Sequence, residues 1–264
     1  MVTEPESIVG DPRVHYTTES IKTVNLKITA GGASVKGPHR KQNEDAFRIY
    51  QEQAMVRRAG RGAIFAVADG VGGTGTGRFA SWHVVDSLAL FFNLPDKRFA
   101  GGKTLKDILT HCNKTLIRMG EENHSYYQAG TTLALLYASP KPGRGFMIGI
   151  GDSGVFVLHK DQWMQLNEDH RNERGKVTSC VGIGEKMTVS SRTIRFFDGD
   201  VYLLCTDGVR DMLPDDTIRA LVDRKAHPHD IATDLVNAAE EAGGKDNATA
   251  IVLRIGDCPA RRTV

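Results

Sequence analysis

Five places in this chain put a carboxylate at the end of an apolar run. Asp69 follows AIFAVA, Asp152 follows FMIGIG, Asp207 follows VYLLCT, Glu44 and Asp45 precede AFRIY, and Asp246 precedes NATAIVLRI. A buried strand fixes whatever stands at its tip, so such residues line a rigid rim. Taken singly, each also suits a turn, since Asp69-Gly70 and Asp207-Gly208 are ordinary turn dipeptides. Taken together they point to metal chemistry. Carboxylates converging on one rim repel unless cations sit between them, and hard oxygen ligands without histidine or thiolate select Mg²⁺ or Mn²⁺. Two such ions sharing a bridging carboxylate form a hydrolytic site. The stretch FAVADGVGGTGTG (65–77) leaves two readings open. Gly70, Gly72 and Gly75 satisfy the dinucleotide-binding pattern G-x-G-x-x-G, or the glycines simply bring backbone close to Asp69.

The elements that must position these residues follow from hydrophobic period. Strand-like stretches fall at about 23–30, 45–50, 62–68, 131–138, 145–150, 154–159, 188–197, 200–205 and 248–255. Helical periodicity covers 77–93, 104–120, 214–224 and 228–242. The order is strands, two helices, many strands, two helices and a strand. That is not the strict alternation of a parallel doubly wound sheet, so an α+β fold of antiparallel sheets covered by helices fits better and the dinucleotide reading weakens. A P-loop also fails, because Gly77 is followed by Arg78-Phe79 and not by Lys-Ser/Thr.

Composition narrows the class further. The 264 residues, 40% of them hydrophobic, suit one sizeable domain or two small ones, with enough apolar content for a real core. A net charge of +2 from 34 basic and 32 acidic residues gives no field that argues for nucleic acid or an anionic membrane. Cys112, Cys180, Cys205 and Cys258 lack C-x-x-C spacing and read as reduced structural thiols. With no secretory signal and no apolar run of spanning length, a cytoplasmic protein is expected, with residues 1–20 as a loosely ordered arm before a single domain over 21–264.

The motifs now carry a family resemblance. RKQNED (40–45), FAVADGVGG (65–73), AGTTL (129–133), IGIGDSGVFVL (148–158), LNEDH (166–170), LLCTDGVRDML (203–213) and KDNATAIVL (245–253) span nearly the whole chain. In that order and spacing, the sequence resembles the metal-dependent protein phosphatases, the type-2C serine/threonine enzymes. The resemblance implies a four-layer α-β-β-α sandwich of two antiparallel sheets flanked by helix pairs. It implies two Mn²⁺ or Mg²⁺ ions, with Asp69 bridging them, Glu44 and the Gly70 carbonyl at one, and Asp207 and Asp246 at the other. Gly72 and Gly73 would let backbone approach the ions. Asp45 would orient the attacking water and Arg40 would clamp the substrate phosphate, a task that suits a planar, permanently charged guanidinium. Asp152 and Asp211 match positions of a third, weaker metal in similar bacterial enzymes. Asn247 is either a support for Asp246 or an Asx turn.

The activity implied is one-step hydrolysis of phosphoserine and phosphothreonine in proteins, opposing a cognate serine/threonine kinase, by a monomer that engages neither nucleic acid nor membrane. The alternative is a phosphatase-fold binding module without catalysis, which acidic residues at every principal ligand position disfavour. His83 and His170 read as structural. Residues 167–187 fall where the family carries a flap beside the site. One departure stands out: many relatives have histidine after the Asp-Gly pair, as donor of a proton to the leaving oxygen, and this chain has Val71.

Overall fold

The computed structural model describes residues 27–71, 75–95 and 101–259. In chain order the elements are β1 (Ile28–Val35), β2 (Ala46–Tyr50), α1 (Ala54–Ala59), β3 (Ala63–Ala68), β4 (Gly70–Val71), α2 (Thr76–Ser87), α3 (Leu90–Asn93) and α4 (Gly102–Glu122). There follow β5 (Gly130–Thr131), β6 (Leu133–Ala138), β7 (Arg144–Ile150), β8 (Gly154–His159), β9 (Gln162–Gln165), β10 (Ser190–Arg195) and β11 (Val201–Cys205). The chain closes with α5 (Asp207–Arg210), α6 (Asp215–Val222), α7 (Pro228–Glu241) and β12 (Ala248–Ile255). Two five-stranded sheets form, β1-β12-β11-β8-β9 and β10-β7-β6-β3-β2, and every pairing in them is antiparallel.

The layering follows from strand period. AIFAVA is buried along its whole length because both faces of β3 are covered. Ala63, Phe65 and Val67 enter the cluster between the sheets, with Leu136, Met147, Tyr202, Leu204, Ile251 and Leu253. Ile64, Ala66 and Ala68 turn the other way, toward Val84 and Val85 of α2, Leu88 just after it, and Leu105, Leu109 and Leu116 of α4. On the opposite flank Leu203 and Cys205 of β11 and Ala250 and Val252 of β12 pack beneath Ile218, Val222, Ile231 and Leu235 of α6 and α7. Alternation with period two thus produces helix, sheet, sheet and helix layers from runs that read simply as apolar.

Three details differ from the sequence expectation. The first strand runs to Val35 through Gly31 and Gly32; residues 1–26, including the expected arm, lie outside the described residues. The helix expected over 77–93 breaks at Leu88–Ala89 into α2 and α3. Short helices α1 and α5 add to the four expected ones, and the half-exposed edge strand β9 was not anticipated. Cys112, Cys180 and Cys205 are buried free thiols, and Cys258 is partly exposed.

Candidate active site

Antiparallel register gathers the strand-end carboxylates at one end of the sandwich. Ala46 pairs with Ala68, which sets Asp45 beside Asp69; Cys205 pairs with both Ala250 and Gly154, which brings Asp207, Asp246 and Asp152 to the same rim. Glycine lets the loops close further. A Cβ on Gly70 would lie 2.3 Å from the Gly77 carbonyl and 2.6 Å from that of Glu44, and one on Gly208 would lie 1.9 Å from the Asn247 carbonyl oxygen. No side chain fits at these crossings, so the Asp-Gly pairs bring backbone together where a turn alone would not require it. Gly72 and Gly73 lie outside the described residues.

Each acidic group has a definite support. The loop after β3 is fixed by Thr131 and Thr132: the Thr132 amide and the Thr131 hydroxyl donate to the Asp69 carbonyl at 2.9 and 2.8 Å, and the Asp69 amide donates to Thr132 Oγ1 at 3.1 Å. Asp45, 4% exposed, accepts at Oδ2 from the hydroxyls of Thr206 (2.9 Å) and Thr249 (2.6 Å), which belong to the other sheet. The Glu44 amide donates to Asn247 Oδ1 at 2.9 Å, and Asn247 Nδ2 donates to the Gln42 carbonyl at 3.2 Å. The Asn247 side chain therefore ties the Glu44 loop, while its own amide donates to Asp246 Oδ1 at 2.8 Å. Arg40 donates to Asp246 Oδ2.

A residue that sequence reasoning passed over lies among these groups. Arg171 donates from Nε to Asp152 Oδ2 at 2.6 Å, from Nη2 to Asp207 Oδ2 at 3.2 Å and to Asp211 Oδ2 at 3.3 Å, and from Nη1 to Asp211 Oδ1 at 3.5 Å. Beside it Arg210 engages Asp169 at 2.8 Å and the Asp152 carbonyl at 2.6 Å. The segment expected as a flap is short and closed on itself. Arg171 bridges Val177, the Asn172 side chain accepts from the amides of Arg174 and Lys176 at 3.0 Å, and His170 Nδ1 accepts from the Gly151 amide at 3.1 Å.

The electrostatics are those of crowded carboxylates. Burial pushes Asp45 up to about 7, against the pull of its two threonine bonds, and the charges of Asp207 and Asp246 add to the rise. Burial, then the charges of Asp152, Asp246 and Asp211, brings Asp207 to about 6. Asp69 stands well above the usual carboxylate range, through burial and then the charges of Asp45, Asp207 and Asp246. One oxygen each of Asp45, Asp152 and Asp207 is buried with no hydrogen-bond partner. Unpaired buried carboxylate oxygens are costly, and a hard divalent cation removes both that cost and the mutual repulsion. The donor set therefore fits Mn²⁺ or Mg²⁺. Among the described residues, however, no three acidic, histidine or cysteine side chains already form a closed cation cage. The outward oxygens of Asp246 and Asp207 are instead taken by Arg40 and Arg171.

Comparisons with known proteins show what the chain as a whole is similar to. Protein phosphatase PhpP of Streptococcus pneumoniae is 25% identical over 84% of this chain and 95% of its own length. Serine/threonine protein phosphatase PstP of Mycobacterium tuberculosis is 28% identical over 89% of this chain and 46% of its own. Among solved structures, PppA of Pseudomonas aeruginosa, a regulatory component of T6SS, is 26% identical with a TM-score of 0.72, over 86% of this chain and 97% of that one. The catalytic domain of PstP in complex with two manganese ions is also 26% identical, with a TM-score of 0.71 over 88% of this chain and 100% of that one. No helix among the described residues is long and apolar enough to cross a membrane. The family model for protein phosphatase 2C matches residues 39–256, and the chain belongs to that family.

Proposed function

We propose that this protein hydrolyses phosphoserine and phosphothreonine in other proteins, using water directly and two Mn²⁺ or Mg²⁺ ions. The observation that carries this reading is the rim formed by Asp45, Asp69, Asp207 and Asp246, with the carboxyls of Asp45, Asp69 and Asp207 raised and unpaired buried oxygens on Asp45 and Asp207. Glu44, Asp69, Asp207, Asp246 and the Gly70 carbonyl would hold the ions. When bound, the ions acidify water and neutralise charge on the phosphoryl oxygens.

The chain's own groups supply the rest. Asp45 aims the water and accepts its proton, and the Thr206 and Thr249 hydroxyls fix the carboxyl in place. Arg40 binds the substrate phosphate. Among the described residues it makes a single ion pair, with Asp246, and at 44% side-chain exposure its guanidinium would be free to meet an anion from solution once that pair is given up. No phosphocysteine is involved: Cys112, Cys180 and Cys205 are buried, and burial raises all three thiols. The substrates are accordingly proteins phosphorylated by a serine/threonine kinase, and the enzyme acts in the cytoplasm as a monomer.

The test is turnover of a phosphothreonine peptide by purified protein. Activity is expected with added Mn²⁺, to vanish in excess chelator, to return on metal addition and to withstand thiol-alkylating reagents. Full turnover in chelator would refute the metal role, and tight Mn²⁺ binding without turnover would mark a binding module instead.

A further inference from the structure

Arg171 lies between Asp152 and Asp211, the two residues that match a third metal position, and its guanidinium also reaches Asp207 of the principal rim. We propose that this guanidinium is the protein's resident cation at that position, so that the site takes two divalent ions and not three. The inference rests on the metal-dependent reading above.

Three observations carry it. The first is multiplicity: three separate carboxylates converge on one guanidinium, whereas Arg40 meets one. A planar fork of five donors can serve several carboxylates at once, which a lysine ammonium does less well. Asp152 is 1% exposed, and its Oδ2 is committed to Arg171 Nε at 2.6 Å. Of the four carboxylate oxygens of Asp152 and Asp211, Asp152 Oδ1 alone is left without a partner, short of the six or so oxygens that a divalent ion of this class gathers.

The second is anchorage. Arg171 is not on a free loop: its backbone bridges Val177, and the Thr178 amide donates to the His170 carbonyl at 2.7 Å. Asn172 closes the turn with bonds from Arg174 and Lys176, and His170 itself is tied to Gly151, the residue before Asp152. Displacing the guanidinium would cost this whole arrangement or force the long side chain to leave all three carboxylates at once.

The third is charge balance. Glu44, Asp45, Asp69, Asp152, Asp207, Asp211 and Asp246 are the carboxylates of the rim, and two divalent ions with Arg40 and Arg171 come within one charge of matching them. A third ion beside Arg171 would turn that deficit of one positive charge into an excess of one, placed against a fixed guanidinium. Because Asp207 belongs both to the Arg171 cluster and to the proposed ligand set, Arg171 also serves as a positioning residue, linking the 167–187 segment to the rim.

The experiment counts bound Mn²⁺ by equilibrium dialysis with elemental analysis, and by calorimetry, on the folded protein at near-neutral pH. Wild type is expected to hold two ions, Arg171→Ala three, and the double variant Arg171→Ala with Asp152→Asn two again. Three ions on wild type would overturn the assignment of Arg171 while leaving the metal-dependent reading intact; no ions on wild type would overturn both. Two ions on a folded Arg171→Ala protein, or a third that survives Asp152→Asn, would also overturn it, since the freed carboxylates would then not be the ligands. Arg171→Lys keeps the charge and guards against loss of fold: it is expected to stay at two ions, and three would refute the charge argument.

Discussion

Replacing Asp45 with asparagine separates what this carboxylate does for chemistry from what it does to the fold. In the metal-free protein burial raises Asp45 from 3.8 to about 7. Between those values the folded state holds a proton on Asp45 that the unfolded chain has already released. Folding is therefore favoured on the acid side, and this contribution is lost as pH rises through about 7. Each pH unit in that window is worth about 1.4 kcal/mol, so a shift of roughly three units amounts to about 4 kcal/mol between pH 4 and pH 8. Asparagine removes the titration. Its oxygen can still accept from Thr206 and Thr249, while an amide hydrogen left without an acceptor would lower stability by roughly 1–3 kcal/mol at every pH. The diagnostic quantity is thus the slope and not the height of the curve.

Urea unfolding of chelator-treated protein at several pH values from 4 to 8 measures it. Wild type should lose stability across the window more steeply than Asp45→Asn, so that the variant gains on wild type by a few kcal/mol toward pH 8. With saturating Mn²⁺ the wild-type slope should flatten or reverse, because metal binds the ionised carboxylates and adds about 2.7 kcal/mol at a hundredfold excess over Kd. The variant should lose roughly 10²- to 10⁴-fold in kcat, as expected for loss of a positioned base. Parallel pH curves for the two metal-free proteins would refute the claim that Asp45 is held protonated by burial.

Two further outcomes are expected. Asp69→Asn and Asp207→Asn should each weaken Mn²⁺ binding and abolish turnover while preserving the far-UV circular dichroism of the fold, and near-normal turnover at saturating Mn²⁺ would remove either residue from the ligand set. Val71→His should raise kcat on a phosphoserine peptide more than on an aryl phosphate and add a pH limb near the imidazole pKa of about 6.5, since an alkoxide needs a proton far more than a phenolate does; equal effects on both substrates would place position 71 away from the leaving group.

The parts of this fold that could be read in advance are those whose chemistry is local. β3, β6, β8, β11 and β12 are apolar runs that stop at turn residues, and α4 and α7 repeat apolar residues at helical spacing. β1 was set too early because Ala30-Gly31-Gly32-Ala33 reads as a turn. Those glycines are required by packing: a Cβ on Gly31 would lie 2.3 Å from the His229 amide nitrogen of α7, and one on Gly32 would lie 2.7 Å from the Phe47 ring. Likewise the aspartates of the rim were visible at strand ends, but their hydroxyl supports were not. Thr206 and Thr249 look like ordinary strand-end residues until the packing of their sheet against that of β2 brings them onto one Asp45 oxygen. Arg171 had no local signal at all, sitting in the charged run NEDHRNER, and only tertiary structure joins it to aspartates 19 residues before and 36 and 40 residues after it.

The contrast between core and rim explains how such a cluster can be maintained. Three apolar layers, two beneath helices and one between sheets, fix the strands without any help from the strand tips. Sheet register then dictates where the carboxylates go, whatever their mutual repulsion. Two arginines offset part of the repulsion, but unequally: Arg40 pairs with one carboxylate and is half exposed, Arg171 with three and is mostly enclosed. On the proposed reading the first would exchange a carboxylate for the substrate phosphate, and the second would remain. On this view the enzyme divides its positive charge into a part that is borrowed from solution, a part that moves to the substrate and a part that is built into the chain. Changes at position 171 should therefore alter the number of ions held, whereas changes at position 40 should alter the hold on phosphate.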